Sequence, residues 1–177
     1  MAENWIALGY NIPINPSRNR VYVWRKLKEF GAEYFKQGVA ILPDSEKSRA
    51  QFSSLGERIR QMGGEVTLVE LRFLDPADEA EMVERFRRQT LSEYQKVLEE
   101  GRKLVSGLQN RPRGGLSEDE SSQLRRTIRQ LDKVRSRDHF MSGFTDDLER
   151  GFEQMVDTLR DTASDFSQQL KHALGKD

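Results

Sequence analysis

The chain has 177 residues, enough for one large domain or two small ones, and it has no cysteine, which excludes disulfides, thiolate zinc sites and thiol redox chemistry. Its 29 basic and 29 acidic residues cancel and its pI is about 6.8, which argues against a dedicated nucleic-acid binder, a class that generally carries a basic excess. A mean hydropathy of −0.77 and a charged fraction of 33% are polar, yet the apolar residues recur periodically, which points to amphipathic helices and not to disorder.

Residues Trp5 to Ile12 form a short apolar run of strand length. Asn15-Pro16 then reads as an N-cap followed by proline at the first helical position. Val21, Trp24, Leu27 and Phe30 recur along the helix this predicts, which places Trp24 in the core, and Gly31 stands where the helix would close. Two short strands are predicted at about residues 32–36 and 39–42, meeting at Gln37-Gly38. A second helix opens at Asp44 or Ser45 and carries Phe52, Leu55, Ile59 and Met62 on one face until Gly63-Gly64 stops it. Glu65 to Phe73 alternates and is rich in β-formers, which predicts a fourth strand. The order β-α-β-β-α-β predicts a ferredoxin-like α/β module over residues 1–75.

Asp75-Pro76 repeats the cap-plus-proline signal and opens a helix over about 76–108, with Met82, Phe86, Tyr94 and Leu98 inward and an interruption expected at Gly101. Gln109 to Gly115 is a basic, turn-rich loop. Ser117 and Glu120 have capping-box spacing, so a helix is predicted over about 117–140 with Leu124, Ile128 and Leu131 on its apolar face. After a break at Gly143 to Thr145, a last helix over about 145–174 carries Leu148, Phe152, Met155, Leu159, Phe166 and Leu170. The expected fold class is therefore α+β: a ferredoxin-like module, then an all-helical region over 76–177 containing an antiparallel helical hairpin.

Arg125, Arg129, Lys133 and Arg137 stand at four-residue spacing on the predicted fourth helix, a pattern that can track phosphates. Glu153, Asp157, Asp161 and Asp165 repeat that spacing on the next helix. A hairpin folding back near residue 145 would pair 125 with 165, 129 with 161, 133 with 157 and 137 with 153. The favoured reading is a structural ion-pair stripe that sets register, each exposed pair contributing about 0–1 kcal/mol. A nucleic-acid face and pairing between subunits are the alternatives.

Catalytic motifs are missing. No phosphate-loop, dinucleotide, nucleophile-elbow or zinc-protease pattern occurs, and no carboxylate pair stands out for acid–base work. His139 and His172 lack carboxylates at ligand spacing, so neither a metal nor another cofactor is expected. A second basic cluster, Arg18, Arg20, Arg25, Lys26 and Lys28, lies on the first helix, with Arg18 and Arg20 in the first turn, where backbone N–H groups favour anions. It is a candidate face for an oxyanion, a phosphate or nucleic acid, set against the plainer reading of a solvated, salt-bridged helix. No run of about 18 apolar residues exists, and the amino terminus lacks the charge and apolar stretch of a signal peptide, so a cytoplasmic protein without a membrane partner is expected.

The runs WIALGYNIP, RVYVWRKLKEFGAEYFKQGVAILP and GGEVTLVE resemble the amino-terminal domain of ChrB-type chromate-resistance proteins, and FRRQTLSEY (86–94) and RDHFMSG (137–143) are similar to that family's helical motifs. The module is also similar to the middle domain of PaaX-type repressors and to a small ferredoxin-like nuclease of CRISPR systems. The resemblance implies a chromate-responsive regulator or accessory factor, with DNA or a small oxyanion as partner. Family members usually carry a second, carboxyl-terminal domain, which these 177 residues do not include. The nuclease relatives use an aspartate at the end of the first strand, whereas Trp5 to Asn11 holds no acid. Three functions follow. The first is a non-enzymatic regulator, whose response to chromate would use arginine and lysine hydrogen bonds because no thiol is present. The second is a homodimeric assembly protein, and the third, outside option is a metal-dependent nuclease.

Overall fold

The computed structural model describes residues 4–108, 116–141 and 144–175. The basic loop expected at 109–115 lies outside them, as does residue 143 of the expected break. The chain divides into two compact units, Met1–Phe86 and Arg87–Asp177, with the boundary inside a long helix and not ahead of it.

The first unit is built on one mixed α+β layer arrangement. Strand β1 (Trp5–Asn11) is apolar at consecutive positions because both of its faces are covered, and Trp5 through Leu8 are all buried. It pairs antiparallel with β3 (Val39–Pro43) on one side and β4 (Glu65–Leu71) on the other, with Leu8 opposite both Ala40 and Leu68. β2 (Glu33–Lys36) pairs antiparallel with β3, giving the order β2-β3-β1-β4. Consequently α1 (Ser17–Phe30) connects two strands that are separated by β3, and α2 (Glu46–Gln61) connects two separated by β1.

α2 starts where expected. The Ser45 hydroxyl accepts from Ser48 N at 3.0 Å and Ser45 N donates to Ser48 Oγ at 2.8 Å, and Phe52, Leu55 and Ile59 are buried. α1 differs from its expectation. Its N-cap is Pro16, with no side-chain cap, so Asn15 does not close the first turn. Its buried residues are Val23 and Leu27, while Trp24 is 48% and Val21 44% exposed. The reason is geometric. A step of three residues falls short of a full helical turn by about 60°, so a run at 21, 24, 27 and 30 drifts halfway round the helix, whereas 23 and 27 share one face.

The first turns of α3 (Pro76–Leu108) belong to this unit. Trp5 packs against Phe86 at 5.8 Å and edge-on against Phe73 at 5.7 Å between ring centroids, and its indole N–H donates to Glu79 at 3.0 Å. A fully buried indole thereby keeps its polar group satisfied.

In the second unit, the rest of α3 joins α4 (Glu118–Ser136), α5 (Asp146–Thr162) and α6 (Ser164–Ala173) around a core that includes Tyr94, Leu98, Leu131, Phe152 and Leu170. The predicted capping box at the start of α4 is present, with Ser117 N donating to Glu120 at 2.8 Å. Gly101 does not interrupt α3. It is buried, and a Cβ there would collide with Met155 Cε, so the glycine makes room for a neighbouring side chain. The helix expected over 145–174 is two helices, broken at Ala163 (φ −155°, ψ 71°). α6 packs back against α5, with Ser167 Oγ donating to the Val156 carbonyl at 2.9 Å, and it also packs against α4. Among the described residues no helix is long and apolar enough to cross a membrane.

Candidate functional site

The basic residues of α1 fall into three sets once the helix is placed on its sheet. Lys26 turns toward α2, lines a groove with Tyr22, Gln51 and Arg58, and pairs with Glu29 at 2.9 Å, which holds its ammonium above the ordinary lysine range. Arg18 and Arg25, seven residues apart, stand on the exposed crest of the helix. Arg20 and Lys28 flank Trp24 at four-residue spacing along the other side. Lys28 lies over the Trp24 indole, its ammonium 5.1 Å from the ring centroid. Arg18, Arg20 and Arg25 have no ion-pair partner among the described residues.

Beside this flank is an open groove of about 710 Å³. Arg20, Val21 and Trp24 form one wall, and the β2–β3 turn at Gln37 and Gly38 forms another. Tyr10 and Tyr34 line it as well, their hydroxyls 2.9 Å apart. Burial, reinforced by the hydrogen bond to Tyr34, pushes the Tyr10 phenol well above the usual range, so it keeps its proton at neutral pH. One hydroxyl donates to the other, which leaves one proton free to donate outward. Gly38 has φ +73°, and a Cβ at that position would lie 3.0 Å from the Tyr10 carbonyl, so the turn closes tightly onto β1. Ile14 (70% exposed), Val21 and Trp24 give this surface an apolar component. Among the described residues, no acidic side chain lines the groove.

A second polar cluster lies in the helical unit. Arg137 pairs with Glu93 at 2.7 Å, and the Tyr94 hydroxyl donates to Asp138 at 3.3 Å. Both contacts join the two segments 86–94 and 137–143, which are far apart in sequence. Burial first, and then the Asp138 carboxylate, push the Tyr94 phenol up. The rings of Tyr94, Phe144 and Phe152 pack in series beside it, at 5.2 and 5.7 Å between centroids. This cluster ties α3 to the end of α4.

The proposed charge stripe is distributed differently from its expected register. Arg137 bonds to Glu93, Asp157 pairs with Arg160 of its own helix at 2.8 Å, and Arg125 lies over the Phe166 ring at 5.7 Å. The ion pairs of the described residues do not include 125 with 165, 129 with 161 or 133 with 157. The break at Ala163 lets α6 fold back beside α4, where the expected register had placed Asp157 and Asp161 of α5. Arg125, Arg129 and Asp132 of α4 instead line a groove with His172 of α6. Among the described residues no group of three or more His, Asp or Glu side chains is placed to hold a metal ion.

Sequence periodicity missed Trp24 as a surface residue and missed the Tyr10–Tyr34 pair. The four-residue spacing of Arg20, Trp24 and Lys28 carried the first signal, whereas the second depends on β2 lying two strands from β1.

The model of the family described as "Protein ChrB, N-terminal" matches residues 20–174, most of both units. The chain belongs to the ChrB amino-terminal family. Protein ChrB of Cupriavidus metallidurans is 29% identical to it over 140 residues, covering 77% of this chain and 40% of that protein. This chain therefore spans well under half the length of that curated relative. No solved structure matches it. The ChrB match begins at Arg20 and so takes in Trp24, Lys28 and the helical cluster, while β1 with Tyr10 lies ahead of it.

Proposed function

We propose that this chain is a non-enzymatic ChrB amino-terminal-like regulator or accessory factor in chromate or oxyanion resistance, acting in the cytoplasm and contacting DNA through the outer face of α1. The observation that carries this reading is the set Arg18, Arg20 and Arg25, exposed and without acidic partners among the described residues, beside a half-exposed tryptophan. Cations left without intramolecular partners are available to phosphates, and each phosphate contact releases condensed counterions. The element order, with strand order β2-β3-β1-β4, supports a ferredoxin-like module that presents α1 on one side of its sheet. The bare oxyanion version rests on the same arginines, which donate charge-assisted hydrogen bonds.

Duplex DNA titrated at low and high salt tests the proposal. Binding should weaken steeply with salt, and affinity that is absent or indifferent to salt would remove DNA from the reading. Chromate and sulfate titrations by calorimetry test the oxyanion version separately.

One observation favours a homodimeric assembly role instead. β4 is an edge strand of seven residues on which Leu68 and Val69 are both exposed, and such an edge can pair with a second copy. Sedimentation of the wild type and of Val69→Lys decides this: a monomer at every working concentration ends the alternative.

A further inference from the structure

The groove beside α1 has a composition that neither a bare anion nor the outside of a duplex needs. A small tetrahedral or trigonal anion requires donors and charge but no aromatic wall. A duplex backbone requires cations on a convex surface, which Arg18 and Arg25 on the crest already supply. Here Trp24 is half-exposed and lines a concave space of about 710 Å³, within the size range of small-molecule sites, together with Val21, Arg20 and the Tyr10–Tyr34 pair.

We propose that this groove is a seat for one unstacked nucleotide, the base stacking on Trp24 and the phosphate held by Arg20. The two side chains stand one helical turn apart, about 6 Å along the axis. That separation suits a base and its own 5′-phosphate bridged by the sugar. An aromatic wall accepts any base, because every base has a π-face. Among the described residues Arg20 has no acidic partner and the groove has no acidic lining, so a phosphate entering it meets no repulsion from the lining side chains. The Tyr10–Tyr34 pair offers one outward proton and several acceptor lone pairs, and the Asn11 and Gln37 amides offer both polarities, which suits the edge of a base. Lys28, over the indole, adds positive charge beside the ring without filling the groove, since it is not among the lining residues.

The seat deepens the nucleic-acid reading of α1 and shares Arg20 with it, but the two can fail separately. The chain has two tryptophans, and Trp5 is fully buried, so a ligand stacking on Trp24 changes only part of the emission. The full chain is titrated with adenosine 5′-monophosphate, adenosine, ribose 5-phosphate and inorganic phosphate, following tryptophan emission and, in parallel, heat. Saturable quenching by the nucleotide is expected, with the three fragments at least tenfold weaker. Trp24→Leu should abolish the heat of binding while leaving the Trp5 emission in place. Arg20→Gln should weaken the nucleotide about tenfold and leave adenosine unchanged. Both side chains point outward, so the variants keep the fold, and circular dichroism verifies it.

Phosphate binding as tightly as the nucleotide would reduce the groove to an anion site and overturn the proposal. So would unaltered nucleotide affinity in Trp24→Leu, or no binding by any of the four probes. A single-stranded oligonucleotide distinguishes the two sources of the ligand. Tighter binding than the mononucleotide assigns the seat to an unstacked residue of a strand, and equal binding assigns it to a free nucleotide. Arg18→Gln with Arg25→Gln, on the crest, should weaken the duplex and leave the mononucleotide unaffected. Failure of duplex binding alone therefore removes the DNA reading and keeps the seat.

Discussion

Met1–Phe86 and Arg87–Asp177 are similar in size and polar in composition, but the unpaired arginines of α1 and of α4 have different neighbours. In the helical unit, Arg137 is bonded to Glu93, Arg150 to Asp147 and Arg160 to Asp157, while Arg88, Arg102 and Arg126 have no ion pair among the described residues; on α4, Arg125 lies over an aromatic ring and Arg129 shares its groove with Asp132. In the sheet unit, Arg49 and Arg85 are likewise paired, to Asp44 and Glu33, but among the described residues Arg18, Arg20 and Arg25 of α1 are not. The difference teaches that a basic stripe in sequence carries little functional information until its counter-ions are located. A balanced overall charge can hide one face that is locally positive.

The contrast can be broken first at the cores. Phe52→Ala in the sheet unit and Phe152→Ala in the helical unit each empty a fully buried site and should cost about 3–5 kcal/mol. Both tryptophans lie in the sheet unit, whereas helical ellipticity reports on both units. Phe152→Ala should therefore lower the ellipticity midpoint more than the emission midpoint. Coincident midpoints in both variants would mean that the two units unfold as one.

The basic faces come next. Replacing Arg18, Arg20 and Arg25 together by glutamine should lower the slope of log affinity for duplex DNA against log salt by roughly 0.9 for each phosphate that is no longer neutralised, and weaken binding tenfold or more. The same treatment of Arg125, Arg129 and Lys133 should leave both quantities unchanged. The reverse result would move the nucleic-acid face to α4. Within the helical unit, Glu93→Gln should cost roughly 1.5–3 kcal/mol, because its pair with Arg137 is mostly buried. Arg160→Ala breaks an exposed pair and should fall within about 0–1 kcal/mol, measured by urea unfolding.

Smaller effects test the helix starts. Ser45→Ala and Ser117→Ala each remove a capping box and should cost about 1 kcal/mol, whereas Asn15→Ala should be neutral because Asn15 does not cap α1. The smallest effect is invisible at neutral pH. Tyr10 and Tyr94 have phenols raised in the folded state, so the unfolded chain ionises first. Stability is then fully present below the ordinary phenol value near about 10 and is lost as pH rises above it. Tyr10→Phe should flatten part of that alkaline decline in the emission signal, and Tyr94→Phe should flatten part of it in ellipticity.

Local signals were legible wherever they depended on neighbours in the chain. The capping box at Ser117, the start of α2 at Asp44 or Ser45, the hairpin at Gln37-Gly38, the α2 face of Phe52, Leu55 and Ile59, and the element order all follow from spacing, because caps, turns and helix faces are settled within about one turn of backbone. The family was readable for the same reason: its motifs are contiguous runs. Tertiary structure decided what depends on distant partners. It turned Trp24 outward, because burial follows the face that Val23 and Leu27 present to the sheet and not the nearest three-residue run. It kept α3 continuous through Gly101, where Met155 takes up the space a side chain would fill, and it broke the last helix at Ala163, so that α6 packs on α4 and α5 and takes the place beside α4 that the register gave to Asp157 and Asp161. It also placed the Tyr10–Tyr34 pair beside Trp24, from strands that only the sheet order brings near. By itself the sequence determined which segments fold and to which family they belong. Which cations remain without partners was settled by packing, since a charge is neutralised by whatever the fold brings within a few ångströms of it.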